Sequence, residues 1–473
     1  MRPASRESAR GLAAIAMLAA ALGAGRSALT AWGPRYGGEL RIALVETTTR
    51  SAPSAPRGLA ERILAGLVDE TLLGVDEEGR ARPALAQSWA SAADGREWTL
   101  RLAPATFHDG TPVGSADAVR GLRRFLRGES VAAVHLARAL DGGDEYRRGR
   151  TDALAGLSAL DDARLVLRFR VPSAVPLAPL ASPAAAIVSA RGAGAGPFVP
   201  TTPPSARGVS ATAFGRHVRG RPFLDVVRLI TTAATDRGRT DGGGADVTSG
   251  LPALAPATGL LLLLLDPAAP PLAEERARAL IAASVDRAQL ARHFLPGGEP
   301  ADVLLALTLL APLPVSPAHG AASPTPVPGR LLLRVASDVP QSASQRVVAH
   351  LAALGLEVQA VAVPAALATT TAGPARLLVW YPEVAEAGLA LEELAALAGS
   401  ADKVRPALEA ADSVRDFDRR RAELQRIEES LRATHVLVPL ARLPLPLGAR
   451  SGVHGLRATA SGTLLLENAW VEP

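Results

Sequence analysis

The chain contains no cysteine. Disulfides, thiolate metal sites and cysteine nucleophiles are therefore excluded. Lysine is almost missing as well: Lys403 is the single one, so the other basic residues among the 51 are arginines. These are scattered among 46 acidic residues without forming a basic run, and aromatics make up only 3% of the chain. Too few rings are present for base stacking, so the pattern argues against a nucleic-acid surface and fits a GC-rich coding sequence. Histidines lie singly, without HxxxH or HExxH spacing, so no preformed metal cage is expected. No G-x-S-x-G elbow occurs, and nothing else in the sequence argues for an enzyme. Gly192–Gly196 lacks the Gly-Lys-Ser/Thr ending of a phosphate loop, and Pro197-Phe198 opposes an immediate helix, so a tight structural loop is expected there.

Long hydrophobic runs are also scarce. Gly11–Ala24 is apolar and follows Arg2, Arg6 and Arg10, the arrangement of a secretory signal too short to span a bilayer. Residues 1–31 are expected to be a cleaved signal peptide. Leu260–Leu265 is shorter still and ends at Asp266-Pro267, which predicts a buried strand.

What remains is globular in composition: 48% hydrophobic and 21% charged residues over 473 positions, more than one core usually accommodates. Apolar residues at helical spacing (Ile63, Leu67, Leu72) predict a helix over about Leu59–Leu73, and Asp76–Gly79 a hairpin turn. Trp98, Leu100 and Leu102 alternate as in a half-buried strand. After a turn at Phe107–Pro112, a helix is predicted from Ser115, with Ser115 as its N-cap and Asp117 in its first turn. Leu157–Pro172 reads as a hairpin. Glu274–Phe294 reads as two helices broken near Asp286, and Pro312–Pro328 as a linker or surface loop. From Leu331 to Trp380 strands and a helix alternate as β-α-β, implying a partly parallel sheet. Asp416–Arg432 reads as a charged helix with an apolar stripe. His108 beside Asp109 invites a catalytic reading, but the Asp-Gly-Thr-Pro that follows is turn chemistry, so a structural role is expected.

The wording of several segments carries more. Phe107–Val119 resembles the FHDG(T/K)P(L/V)(T/S)AxDV signature of the family 5 extracytoplasmic solute-binding proteins, the peptide- and nickel-binding components of ABC importers. Ile63–Trp89 resembles that family's LVYETLLxxDxxGxxxPxLAxSW. Ala193–Phe198, Phe214–Arg237, Gly242–Gly250, Glu274–Phe294 and Gly452–Pro473 match further family segments in order, so the resemblance covers about Gly37 to Pro473.

The resemblance implies an α/β, two-lobe periplasmic-binding-protein fold of the large, cluster C type, with an extra subdomain in lobe I. Lobe I is expected over 36–250, with the subdomain at about 68–165, completed by 441–473; lobe II is expected over 251–440. Crossovers near Gly250 and Leu440 would form the hinge. The implied function is that of an importer's substrate-binding protein, capturing oligopeptides or a similar small solute between the lobes. The implied protein is a periplasmic monomer without cofactor, delivering its ligand to an ABC permease and ATPase. Without a cysteine there is no lipobox for a lipid tether.

In peptide-binding relatives the strand corresponding to Leu377–Trp380 ends in a form such as GWxADYPDP, whose Trp lines the cleft and whose Asp pairs with the ligand's α-ammonium. Here Trp380 runs straight into Tyr381-Pro382, so the Ala-Asp is missing. Glu383 is the candidate for a displaced charge, in a different register. The expected ligand-binding residues are Trp380, Tyr381 and Glu383, with Glu46 and Thr47 on a cleft-side loop; Trp380 and Tyr381 have the alternative reading of core or hinge-side aromatics. Two alternatives to peptide capture stay open: a nickel-chelate, opine or sugar binder of the same family, and an envelope scaffold that kept the fold and lost ligand binding.

Overall fold

The computed structural model describes residues 33–44, 58–77, 79–203, 205, 208–231, 244–254, 259–305 and 326–472. In chain order, β1 (Glu39–Leu44) leads to α1 (Leu59–Val68) and the hairpin β2 (Leu73–Val75) and β3 (Ala81–Pro83). Next come β4 (Ala86–Ser91), β5 (Glu97–Leu102), α2 (Ser115–Leu126), α3 (Val131–Ala139), α4 (Gly143–Arg147), β6 (Leu157–Asp161) and β7 (Arg164–Arg168). The chain continues through β8 (Phe198–Pro200), β9 (Gly208–Ala213), β10 (Val226–Thr231), β11 (Val247–Ala253) and β12 (Gly259–Leu265). Then follow α5 (Glu275–Ser284), α6 (Arg287–Phe294), β13 (Glu299–Pro300), β14 (Gly329–Ala336), α7 (Gln341–Ala353), β15 (Leu356–Val363) and α8 (Ala365–Ala368). The last elements used below are β16 (Ala375–Trp380), α9 (Ala387–Leu397), α10 (Ala401–Asp412), α11 (Phe417–Ala433), β17 (Leu437–Leu443) and β18 (Gly448–Ala449).

Two six-stranded mixed sheets organise these elements, one ordered β18-β11-β1-β10-β9-β8 and the other β13-β17-β12-β16-β14-β15. In the first, β1 runs parallel to β10 and β11. In the second, β14 runs parallel to β15 and β16, as the β-α-β alternation predicts. All seven residues of β12 are buried, and β16 and β17 flank it on either side. The chain passes from the first sheet to the second between β11 and β12 and returns between β17 and β18. A four-stranded antiparallel sheet, β4-β5-β7-β6, carries α2 to α4 as a separate layer. Each sheet has its own apolar core. The first is completed by Leu464 and Leu466 of the C-terminal tail.

The break expected near Asp286 separates α5 from α6, and Asp286 is the N-cap of α6, its carboxylate accepting from Gln289 N–H at 2.9 Å. Two local expectations are corrected. The helix over Leu59–Leu73 stops at Val68. Glu70 bridges to Ile187 and Leu73 pairs with Pro83, so strand partners outcompete helix propensity there. Ser115 is not the N-cap of α2; Gly114 is, its N–H donating to the Asp117 carboxylate at 3.0 Å. The Ser115 hydroxyl donates instead to the Asp161 carbonyl, tying the helix to the β6–β7 turn. Residues 1–31 and most of the Pro312–Pro328 stretch lie outside the described residues.

Candidate functional site

A cavity of about 90 Å³ opens between the end of α1, residues 181–186, the segment that leaves β16, and the C-terminal tail. It has room for a handful of waters or a small polar group. Its walls thus come from elements of both six-stranded sheets and from the tail.

On one wall, charged side chains form a chain. His217 Nε2 lies 3.0 Å from Glu70 Oε2. Arg219 pairs with Glu70 at 2.9 Å and with Glu467 at 2.5 Å, and Arg82 pairs with Glu467 at 2.9 Å. Burial pushes the Glu70 carboxyl up, but Arg219 and His217 outweigh it and hold Glu70 below the usual carboxylate range. Burial is likewise overcome at Glu467, where Arg219 and Arg82 bring the carboxyl down to about 2. Charged pairs this enclosed keep their ionised forms only because each carboxylate meets two cationic or hydrogen-bonding partners.

The opposite wall behaves differently. Glu383 is buried, with the Ser182 hydroxyl donating to its carboxylate. Its backbone N–H donates to Glu393 Oε1 at 2.8 Å. Burial pushes Glu383 up, and burial together with the Glu383 charge pushes Glu393 up to about 8. Arg62 pulls both carboxyls down but does not outweigh burial, so Glu393 retains a proton at neutral pH. Trp380 contributes a hydrogen bond to Glu393.

Arg62, on α1, reaches across to this segment. It donates to the carbonyl oxygens of Pro382 at 3.1 Å and Tyr381 at 3.2 Å, and to Ser461 O at 2.8 Å. One guanidinium therefore ties together the first sheet's helix, the exit of β16 and the tail.

Of the expected ligand residues, Glu383 lines the cavity. Trp380 is buried in the core of the second sheet. Tyr381 packs against Gly259, where an added side-chain carbon would sit 2.7 Å from its ring. Both aromatics thus lie beside the cavity and not on its lining. Glu46 and Thr47 fall outside the described residues. Sequence reasoning missed Arg62, Glu70, Arg82, Arg219 and Glu467. The partners named for them above lie 147 to 399 positions away, so no local spacing signals those contacts.

His108 and Asp109 take up the backbone. The His108 N–H donates to Gly194 O at 2.8 Å and its Nε2 lies 2.9 Å from Gly196 O. Asp109 accepts from Thr111 N–H and from the Thr111 and Ser189 hydroxyls. The loop glycines are needed for close approach: a side-chain carbon at Gly196 would lie 2.6 Å from the Val68 carbonyl carbon. No cluster of three or more metal-ligating side chains is present among the described residues.

Residues 80–319 match the family described as bacterial extracellular solute-binding proteins, family 5 (middle). Over 103 residues, 22% of this chain, the sequence is 27% identical to a probable peptide ABC transporter periplasmic-binding protein of Sinorhizobium fredii. That match spans 19% of the relative's own length. The fold is similar to the Escherichia coli murein tripeptide binding protein, with a TM-score of 0.77 and 18% identity over 92% of this chain and 98% of that one. It is also similar to a binding protein from A. tumefaciens R10 solved with agropinic acid, with a TM-score of 0.74 and 20% identity over 92% and 99%. A third similar fold is the Helicobacter pylori binding protein solved with the peptide STSA, with a TM-score of 0.74 and 17% identity over 93% and 99%.

Proposed function

The chain belongs to the family 5 bacterial extracellular solute-binding proteins, and on that premise we propose that it captures a peptide or similar small solute between two lobes for an ABC importer. Lobe I corresponds to 36–250 completed by 441–473, with its subdomain at about 68–165, and lobe II to 251–440. The observation that supports this reading is the place of the cavity, where α1, the exit of β16 and the tail meet, with Glu383 and the Glu70–Arg219–Glu467 chain on its surface. A ligand touching both lobes favours the closed form by its extra contacts there, and closure presents one surface to the permease. The protein acts as a binding protein and not as an enzyme. No helix among the described residues is long and apolar enough to cross a membrane. We place the protein in the periplasm, with residues 1–31 as its secretory signal.

Thermal-shift measurement against peptides, opines, sugars and metal chelates tests this. A true ligand at about 100 times its dissociation constant adds about 2.7 kcal/mol of stability. If no class moves the melting temperature, the capture reading fails.

A second reading, a scaffold that has kept the fold and lost its ligand, is favoured by two observations. The cavity is only about 90 Å³, and the Glu70, Glu467, Arg82 and Arg219 side chains are paired within the protein.

A further inference from the structure

Away from the cavity, the face between α3 and α9–α11 holds a second set of enclosed charges. Helix α3 packs on the four-stranded sheet, and α10 and α11 belong to the core of the second six-stranded sheet; α9 contributes to both, with Leu389 in the core of the four-stranded layer. His135, on α3, points into this face with its side chain only 14% exposed. Its Nδ1 lies 2.9 Å from Glu392 Oε2 on α9, and its Nε2 lies 3.6 Å from Asp412 Oδ2 on α10. From its own helix, Arg138 donates to the other oxygen of Glu392 and lies 3.8 Å from the exposed Glu409. From α11, Arg420 bridges Asp412 at 3.0 Å and Glu386, the α9 cap, at 2.8 Å.

The enclosed charges do not balance without the imidazole. Glu386, Glu392 and Asp412 bring three carboxylates, while Arg138 and Arg420 bring two guanidiniums. Glu409, more than half exposed, is solvated and drops out of the count. An enclosed face left with a net charge is costly, and a proton on His135 neutralises it.

We infer that this face is a proton-dependent clasp: His135, when protonated, holds the α3 layer against α9–α11, and loss of the proton loosens it. The titration directions agree with the charge count. Burial lowers the imidazole, but Glu392 and Asp412 outweigh it and hold His135 above its ordinary value of 6.5. Asp412 is pushed up by burial, against the pull of His135 and Arg420; it counts as a carboxylate in the balance above. The sign follows: the clasp is complete below the ordinary imidazole range and is lost as pH rises through the raised, clasped value. Main-chain contacts, such as Ala174 N–H to Asp412 O at 2.7 Å, fix the register but do not titrate.

The inference rests on the lobes parting, not on which ligand they hold, and the two are separately measurable. Because the chain has no cysteine, Asp152→Cys with Glu357→Cys gives one dye pair at sites whose side chains are 97% and 72% exposed. Energy transfer in the ligand-free protein, followed from pH 6 to pH 8.5, reads the closed-to-open ratio. The ratio should fall with rising pH, by about tenfold for each pH unit separating the clasped and open imidazole values. Glu392→Gln removes one carboxylate, so a neutral imidazole then suffices; its ratio should be flat with pH and should exceed the unsubstituted protein's at pH 8.5. His135→Gln should be flat at the low, high-pH level. In parallel, the His135 ring proton, assigned by its loss in His135→Gln, should titrate above 6.5 in the folded protein. A ring value at or below 6.5, or an unchanged pH profile in Glu392→Gln, overturns the clasp. A raised ring value with energy transfer constant under every condition shows that the lobes do not part, and overturns it too.

Discussion

Arg62 Nη2 donates to the Tyr381 carbonyl oxygen at 3.2 Å while its guanidinium lies 5.9 Å from the centre of the same residue's ring. Both contacts fall where the chain leaves β16. Arg62→Ala removes these and the bonds to Pro382 and Ser461, and hydrogen bonds from a charged donor contribute about 1.5–3 kcal/mol each. We expect a loss of about 2–4 kcal/mol in denaturant unfolding, since the freed carbonyls recover part through water. Arg62→Lys should fall between the two, because an ammonium cannot span three carbonyls in a planar fork. A stability equal to the unsubstituted protein's would remove Arg62 as a tie.

Glu393 makes the protein sensitive to alkali. Its carboxyl, pushed up to about 8, keeps its proton over a range in which the unfolded chain, at 4.5, has lost it. Stability should therefore decline from about pH 4.5 to pH 8 and level off above, with a slope of at most about 1.4 kcal/mol per pH unit from this site. Glu393→Gln should flatten that decline in melting curves recorded between pH 5 and pH 8. An equal slope in both proteins would contradict the assignment.

The Glu467 carboxylate works in the opposite direction. Held down to about 2 by Arg219 and Arg82, it contributes stability that is complete above the ordinary carboxylate range and lost as pH falls through that value. Glu467→Gln takes the carboxylate partner from Arg82 and leaves Arg219 with Glu70 alone in an enclosed wall. A loss of about 3–5 kcal/mol at pH 7 is expected, by analogy with other broken buried pairs. The deficit should narrow at pH 3, which melting curves at the two pH values would reveal.

His108→Ala should cost about 1–3 kcal/mol, the penalty for stranding the buried Gly196 carbonyl that His108 now meets at 2.9 Å. The affinity of any ligand found by thermal shift should stay unchanged. A changed affinity with unchanged stability would return His108 to the binding machinery.

Elements whose cause is local were legible in the sequence. The β-α-β run through β14, α7 and β15, the buried β12 and the helix break near Asp286 all follow from patterns a few residues wide. The stop of α1 at Val68 was not legible, because it depends on Glu70 meeting Ile187, a residue more than a hundred positions away. Ser115 failed as a cap for a similar reason: Asp161 takes its hydroxyl. At the candidate site, Glu383 could be singled out from the sequence because it stands three residues past the strand end at Trp380, where the family's acid is missing. Arg219 and Glu467 meet across 248 positions, and His135 and Glu392 across 257. Such charges reveal themselves only when folding removes the water around them.

The two passages between the six-stranded sheets have a mechanical consequence. On one side β11 and β18 are antiparallel neighbours; on the other, β12 and β17 are. Within each sheet the outgoing and returning strands are therefore laced as a two-ply ribbon, and not as two independent strings. A ribbon flexes readily across its thin dimension but resists sliding of one ply past the other, since sliding would break every rung at once. If the two halves swing as we propose, this lacing confines them to a single arc, like covers on a spine, that brings the same faces together at each closing.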